Sequence, residues 1–165
     1  MISEAKVEER SEQHYVGIRV QVTMAEMPAA IDKAFPQLFG WLGEKHIAPS
    51  AAPIIRYHVI NMEEKMDIEM GVPVASPISG DTQVSADVLP AGRYATLLHT
   101  GHYDGLMEAT RVLIEWAKEQ GLVWDNWEDE NGDAFRSRYE SYLTDPMAEP
   151  DSSKWGTEIA IKLAD

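Results

Sequence analysis

A carboxylate among aromatic residues, in the segment RSRYESY, is the part of the sequence best suited to chemistry. If this segment is a strand, its side chains alternate between two faces, so Arg138, Glu140 and Tyr142 share one face. A carboxylate in an apolar, aromatic crevice is poorly hydrated, and this disfavours its charged form. A bound cation or an N–H donor would relieve that cost. The segment therefore predicts a ligand-binding site centred on Glu140.

Aromatic rings would strengthen such a site, because a cation within about 6 Å of a ring gains roughly 0.5 to 2 kcal/mol. The chain contains five Trp and six Tyr. The candidate wall residues of the pocket are Tyr94, Trp116, Tyr142, Trp155, Trp41 and Tyr57. Large aromatics at helical spacing usually belong to a core. For Trp41 we favour this core interpretation.

The same residues allow two other roles for Glu140. It could be an exposed strand carboxylate paired with Arg138, which is the usual fate of Glu. It could also act in general acid–base catalysis, because a proton-transfer group works best when its pKa is near the ambient pH.

No metal or cofactor site is predicted. His99 and His102 stand near Asp104 in HTGHYD, but a glycine between the two histidines indicates a strand end, so the rings need not converge. DNWEDENGD, residues 125–133, resembles a calcium loop only superficially, because Arg136 stands where such a loop has a glutamate. The absence of cysteine excludes thiolate ligands, disulfides and a cysteine nucleophile.

The composition is that of one globular domain of 165 residues. The formal net charge of −14 repels phosphate backbones and anionic lipids, so we expect no direct nucleic-acid partner and no membrane partner. No segment has the length and apolar character of a membrane span or a secretion signal. Together with the lack of cysteine, this predicts a cytoplasmic protein.

Hydrophobic periodicity predicts a strand–helix–strand–strand unit that occurs twice. The predicted strands are 14–22, 54–60, 67–74, VSADV, RYATLLHT, 135–143 and 157–163, and the predicted helices run from Pro28 to about His46, with a kink or restart at Pro36, and from Asp104 to about Gln120. The halves match in residue type: Tyr15 with Tyr94, Trp41 with Trp116, Tyr57 with Tyr139, and His58 with Glu140.

This duplication predicts an α+β fold with pseudo-two-fold symmetry, in which two main helices lie on one side of an antiparallel sheet. We expect a single domain, 1–165, with module one at about 5–75 and module two at about 82–164. A crevice along the seam between the modules is a favoured position for a ligand pocket.

The motifs YHVINMEEKMDIEMGVPV, LPAGRYATLLHTGHYDGL, and ESYLTDP followed by TEIAIKL resemble the GyrI-like small-molecule-binding family, the effector-binding domain of AraC-type and MerR-type multidrug regulators. The resemblance implies two strand–helix–strand–strand modules and a pocket with an acidic residue at its floor, which falls on Glu140. It also implies lipophilic, often cationic, aromatic ligands. Family members often carry a DNA-binding domain, for which we expect no room in this chain.

The resemblance leads to one expected function and two alternatives. We expect a free-standing protein that senses or sequesters lipophilic, possibly cationic, aromatic small molecules, with a protein partner or homodimer left open. The first alternative is a hydrolase of strained electrophilic toxins, in which Glu140 activates water with help from Tyr94 or Tyr142. The second is a protein inhibitor, such as one of DNA gyrase.

Overall fold

The computed structural model describes Met1–Asp165 and consists of ten strands and two α-helices. The strands are β1 (Lys6–Arg10), β2 (Gln13–Val22), β3 (Ile54–Ile60), β4 (Met66–Pro73), β5 (Ser85–Leu89), β6 (Gly92–Thr100), β7 (Asn126–Asp129), β8 (Gly132–Phe135), β9 (Arg138–Tyr142) and β10 (Gly156–Lys162). The helices are α1 (Met27–Glu44) and α2 (Leu106–Glu119). Short 3₁₀ turns, Met24–Glu26 and Tyr103–Gly105, lead into the two helices.

All strand pairs are antiparallel, and the main sheet has the order β1-β6-β10-β9-β3-β4-β2-β5. This order is symmetric about the pair β3 and β9, which confirms the predicted pseudo-two-fold α+β architecture. The first strand of each half is exchanged: β1 pairs with β6 of the second half, and β5 pairs with β2 of the first half. Tyr15 lies opposite Asp87, and Tyr94 lies opposite Glu8, so these tyrosines occupy equivalent positions.

The predicted match of RYH with RYE is out of register. Tyr57 lies opposite Ile68 in β4, and Tyr142 lies opposite Thr157 in β10, at the equivalent place in the second half. The equivalent of Tyr57 is therefore Tyr142 and not Tyr139. By the same registers Glu140 corresponds to Ile55, its direct neighbour across β3 and β9, and not to His58.

Both helices cover one face of the sheet, α1 over β2 and β4, and α2 over β6. The buried clusters under α1 and α2 are apolar. A further cluster, which contains Tyr15, Tyr94 and Tyr139, is formed by residues of the opposite, helix-free face. Since neighbouring residues of a strand point to opposite faces, Tyr139 belongs to the helix-free face and Glu140 to the helix-covered face.

The structure differs from the sequence-based prediction in three places. Helix α1 does not restart at Pro36 but continues through it, and the buried residues Ala34 and Leu38 hold the turns on either side. Strand β1 and the hairpin β7–β8 were not predicted, and the predicted strand 135–143 is divided between β8 and β9. Neither helix is long and apolar enough to cross a membrane.

Candidate functional site: a carboxylate between two tyrosines

Glu140 lies in β9, between β3 and β10 at the centre of the sheet. Its Oε1 accepts a hydrogen bond from the Tyr142 hydroxyl at 2.5 Å and another from the Tyr57 hydroxyl at 2.9 Å. Because Tyr57 and Tyr142 are equivalent in the two repeats, each half contributes one hydroxyl to the same carboxylate oxygen. Oε2 accepts no hydrogen bond from the protein and is not fully enclosed.

Burial raises the pKa of Glu140 above its usual range. The hydrogen bonds from Tyr142 and Tyr57, and the nearby charge of Arg138, act in the opposite direction but do not cancel the effect of burial. Burial and the charge of Glu140 also raise the pKa of Tyr57 and of Tyr142 well above that of free tyrosine. Both tyrosines therefore stay protonated and remain donors, and the carboxylate is the group that titrates.

Arg138 does not form an ion pair with Glu140, so the exposed-pair interpretation of this carboxylate is wrong. The Arg138 guanidinium lies 4.8 Å from the centre of the Phe135 ring, a cation–π arrangement. Burial lowers the pKa of Arg138, and its charge still acts on Glu140 from a distance. The carboxylate thus has a cationic neighbour but no direct cationic partner.

Removing that neighbouring charge should make Glu140 harder to ionise. In Arg138→Gln we expect the pKa of Glu140 to rise further, because only the two tyrosine hydroxyls then oppose burial. The measurement is the pH dependence of the Glu140 carboxyl resonance by NMR, and Arg111→Gln, on the exposed face of α2, is the control. An unchanged titration midpoint in Arg138→Gln would show that this arginine does not act on the site.

A chain of aromatic rings extends from Tyr142. The Tyr103 ring packs edge-on against Tyr142, with centroids 5.6 Å apart, and lies 4.8 Å from the Trp155 ring. His102 stacks on Trp155 at 5.6 Å. Tyr103 and His102 were not predicted as wall residues. Their position in HTGHYDGL, immediately before a helix and close to a strand end, was the signal available for them.

A cavity of about 250 Å³ adjoins these rings, between α1, the loop before β3 and the segment after β9. Phe39, Pro53, Tyr142 and Leu143 contribute apolar or aromatic surface, and Asp145 contributes a carboxylate. Tyr142 is part of the cavity wall, and its hydroxyl donates a hydrogen bond to Glu140, which is not part of the wall. Tyr142 therefore connects the cavity to the carboxylate.

Three other predicted wall residues, Trp116, Trp41 and Tyr94, lie in different parts of the fold. Trp116 packs on the cluster under α2 against which Tyr142 also packs. Trp41 is part of the core under α1 and donates its indole N–H to Asp81 at 2.8 Å, as the core interpretation predicts. Tyr94 is fully buried in the cluster of the helix-free face and donates to Pro90 O at 2.6 Å. Tyr94 and Trp41 therefore do not lie at the Glu140 site.

No group of three or more His, Asp or Glu side chains is arranged as a metal site. The ring nitrogen Nδ1 of His102 accepts a hydrogen bond from the backbone N–H of Asp104, which caps the turn before α2. The acidic segment 125–133 forms the short hairpin β7–β8 rather than an ion-binding loop.

A family model for the GyrI-like small molecule binding domain matches residues 3–164. The chain belongs to the GyrI-like family. The GyrI-like chain is similar to the C-terminal domain of EcmrR, with a TM-score of 0.79 and 24% identity over 98% of both chains. In the EcmrR–DNA complex the TM-score is 0.78 at 23% identity, and the match spans 98% of this chain but 57% of the EcmrR chain.

The GyrI-like chain is also similar to SAV2435 bound to tetraphenylphosphonium, with a TM-score of 0.67 and 12% identity over 98% of this chain and 94% of SAV2435. At these identities the solved structures show a shared fold. A search of curated proteins finds no match.

Proposed function

We propose that this GyrI-like chain binds lipophilic aromatic cations between its two repeats, with Glu140 as the counter-ion, and that it serves to sense or sequester them. The observation that carries the proposal is a half-buried carboxylate of raised pKa, with one oxygen held by two tyrosines and the other free of protein partners. A carboxylate that is costly to ionise gains most from an incoming positive charge.

The surroundings of Glu140 select for a delocalised, apolar cation over a small hydrated one. The rings of Tyr142, Tyr103 and Trp155 provide flat apolar surface on which a cation gains energy beyond burial. The tyrosine hydroxyls on Oε1 fix the orientation of the carboxylate, so little side-chain entropy is lost on binding. A compact ammonium ion would lose its hydration and find few hydrogen-bond acceptors in return.

The relatives support this ligand class. SAV2435, which shares the fold, is seen bound to tetraphenylphosphonium, a lipophilic aromatic cation. EcmrR, whose C-terminal domain shares the fold, forms a complex with DNA. Ligand sensing in multidrug transcription regulation, in a cytoplasmic setting, is the context that we infer from this family.

A titration with tetraphenylphosphonium, followed by tryptophan fluorescence, tests the proposal. We expect saturable quenching, because Trp155 lies one ring away from Tyr142. Triphenylphosphine oxide, which is similar in shape and apolar surface but uncharged, should bind at least about tenfold more weakly, the equivalent of one charge-assisted contact. Equal affinity for the charged and the neutral compound would contradict the role of Glu140 as a counter-ion.

The affinity for the cation should fall in mild acid. A raised pKa means that Glu140 takes up its proton at a higher pH than an ordinary carboxyl, and only the ionised form attracts the ligand. Below that pKa the dissociation constant should increase by up to about tenfold per pH unit, as expected for one proton linked to binding. Isothermal titration calorimetry over a pH series measures this slope, and a flat profile down to the ordinary carboxyl range would disprove the linkage.

Hydrolysis of a strained electrophile is the second candidate, favoured by one observation. Glu140 has a raised pKa and a hydrogen bond of 2.5 Å to Tyr142, which suits a general base with a neighbouring acid. Tyr94 cannot assist, because it lies on the other face of the sheet. Product formation that continues at the wild-type rate in Glu140→Ala would exclude this role.

A further inference from the structure

The helix-free face of the sheet contains a second cavity, of about 260 Å³, beside β3 and the hairpin β7–β8. Its wall includes Arg19, Arg56, His58, Asp87, Trp127 and Arg136. This cavity shares no wall residue with the cavity beside Tyr142. It is also the place where three of the arginines of this strongly acidic chain come together.

A β-bulge in β3 forms one side of this cavity. Tyr57 pairs with Ile68 and Val59 pairs with Asp67, so His58 is an extra residue between them. Tyr57 reaches Glu140 on one face, while the neighbouring Arg56 and His58 line the cavity on the other.

Arg56 carries a buried charge that is poorly matched. The residue is only 7% exposed, and its hydrogen bonds go to neutral acceptors: Tyr15 Oη at 2.9 Å, Val88 O at 3.1 Å and Arg136 O at 2.8 Å. Its Nε has no acceptor, and the nearest carboxylate, Asp87, is 3.7 Å away and half exposed. A buried guanidinium in such a setting is stabilised by an added anion.

The rim of the cavity combines a cation with a flat aromatic surface. The Arg136 guanidinium lies 5.2 Å from the centre of the exposed Trp127 ring, and its nearest carboxylate, on Asp125, is 3.8 Å away. Arg19, by contrast, is already neutralised by Asp67 through two bonds of 2.8 Å. Arg56 and Arg136 are therefore the two guanidinium groups with capacity for a ligand.

His58 is held in a fixed orientation at the same wall. Its Nε2 lies 2.8 Å from Glu69 Oε1, a fully buried carboxylate, and its Nδ1 has no hydrogen-bond partner in the protein. A ring nitrogen held in place by a carboxylate on the far side of the imidazole is well positioned for a polar contact with a ligand.

From these contacts we propose that the cavity of the helix-free face binds a small aromatic monocarboxylate, with its carboxylate between Arg56 and Arg136 and its ring against Trp127. Guanidinium groups match the planar geometry of a carboxylate. Asp87 and Asp129, on the same wall, select against ions of higher negative charge, and so does the net charge of −14. The site is independent of the Glu140 site and of the function proposed for it.

Benzoate is the probe, and NMR of the ¹⁵N-labelled full chain is the measurement. We expect the indole N–H of Trp127 and the backbone N–H of His58 to shift on titration. Arg136→Gln, at an exposed position, should weaken benzoate binding by about tenfold, the loss of one charge-assisted contact. The matched control is Arg111→Gln, an exposed arginine on α2, which should bind benzoate as the wild type does.

Three results would overturn the proposal. One is that benzoate leaves the resonances of Trp127 and His58 unchanged. Another is that Arg136→Gln binds benzoate as tightly as the wild type does. The third is that inorganic phosphate shifts the same resonances at equal or lower concentration, which would exclude selection for an aromatic monocarboxylate. Glu140→Gln should bind benzoate normally, so failure at one site can be distinguished from failure at the other.

Discussion

Replacing Glu140 with Gln should reduce the affinity for tetraphenylphosphonium by more than tenfold. Gln keeps the size of the side chain and an oxygen that accepts from Tyr57 and Tyr142, so the hydrogen bonds of the site can persist. What is lost is the negative charge in a half-buried setting, where charge interactions are least screened. Calorimetric titration of both proteins at neutral pH measures the effect.

The control for this substitution is Glu115→Gln, which changes the net charge equally at an exposed position on α2. Its affinity should match that of the wild type, because a distant surface charge is largely screened by salt. Unaltered binding in Glu140→Gln would show that the cation does not use this carboxylate.

The same substitution should stabilise the protein at neutral pH. The folded-state pKa of Glu140 is above its unfolded value, so its contribution is favourable below the unfolded pKa and is lost as the pH rises through the folded pKa. Gln cannot ionise, so Glu140→Gln does not lose this contribution. Its free energy of unfolding in urea should therefore exceed that of the wild type by a margin that grows from acidic to neutral pH. A variant that is less stable than the wild type at both pH values would contradict this sign.

The largest loss of stability should come from Glu69→Ala, at about 3 to 5 kcal/mol, the usual cost of breaking a buried charged network. Glu69 is 1% exposed and is contacted by Tyr15 at 2.5 Å, His58 at 2.8 Å and Ser85 at 2.9 Å. Its removal leaves the buried Tyr15 hydroxyl and the His58 ring without their carboxylate partner, and Ser85 keeps only the Gly17 carbonyl at 3.2 Å. The cavity that Glu69→Ala leaves next to residue 17 stays empty, because Gly17 has no side chain to fill it. That missing side chain is what makes room for Glu69 in the wild type.

The pseudo-symmetry provides a matched control. Glu158 occupies the equivalent position in the second half, because it lies opposite Ser141 as Glu69 lies opposite Arg56. Its side chain is 28% exposed and forms an ion pair with Arg10. Glu158→Ala should therefore cost no more than about 1 kcal/mol. Equal losses at the two positions in urea unfolding would refute the importance of the buried network.

The contribution of Glu69 should also depend on pH. Burial raises the pKa of this carboxyl, but the bonds from His58, Tyr15 and Ser85 outweigh it and hold the pKa below its usual range. The stability that it supplies is therefore present above the ordinary carboxyl pKa and is lost as the pH falls through the lower folded value. The difference between wild type and Glu69→Ala should shrink in strong acid.

Local patterns predicted much of the fold because they depend on short stretches of chain. Alternation identified β2, β3, β4 and β10, and helical spacing identified α1 and α2 to within a few residues. Strand β1, KVEER, has no apolar alternation, because it is a largely exposed edge strand that is held by its backbone pairing with β6. A pattern of burial cannot reveal a strand of this kind.

The site was predicted in part for the same reason. Alternation within β9 placed Glu140 and Tyr142 on one face, and the structure agrees. The approach of Tyr57 depends on the pairing of β3 with β9, a contact between distant parts of the chain. Tyr94 was placed incorrectly because alternation separates the two faces of a strand without indicating which of them the helices cover.

The exchange of β1 and β5 limits how the chain can be divided. A polypeptide with only one repeat would have no partner for its first strand within its own molecule, and its sheet would end on an open edge. Such a one-repeat protein would have to exchange that strand with a second copy, forming a domain-swapped dimer with two-fold symmetry. In the chain with both repeats the same assembly is made within one molecule, where dilution cannot separate the halves.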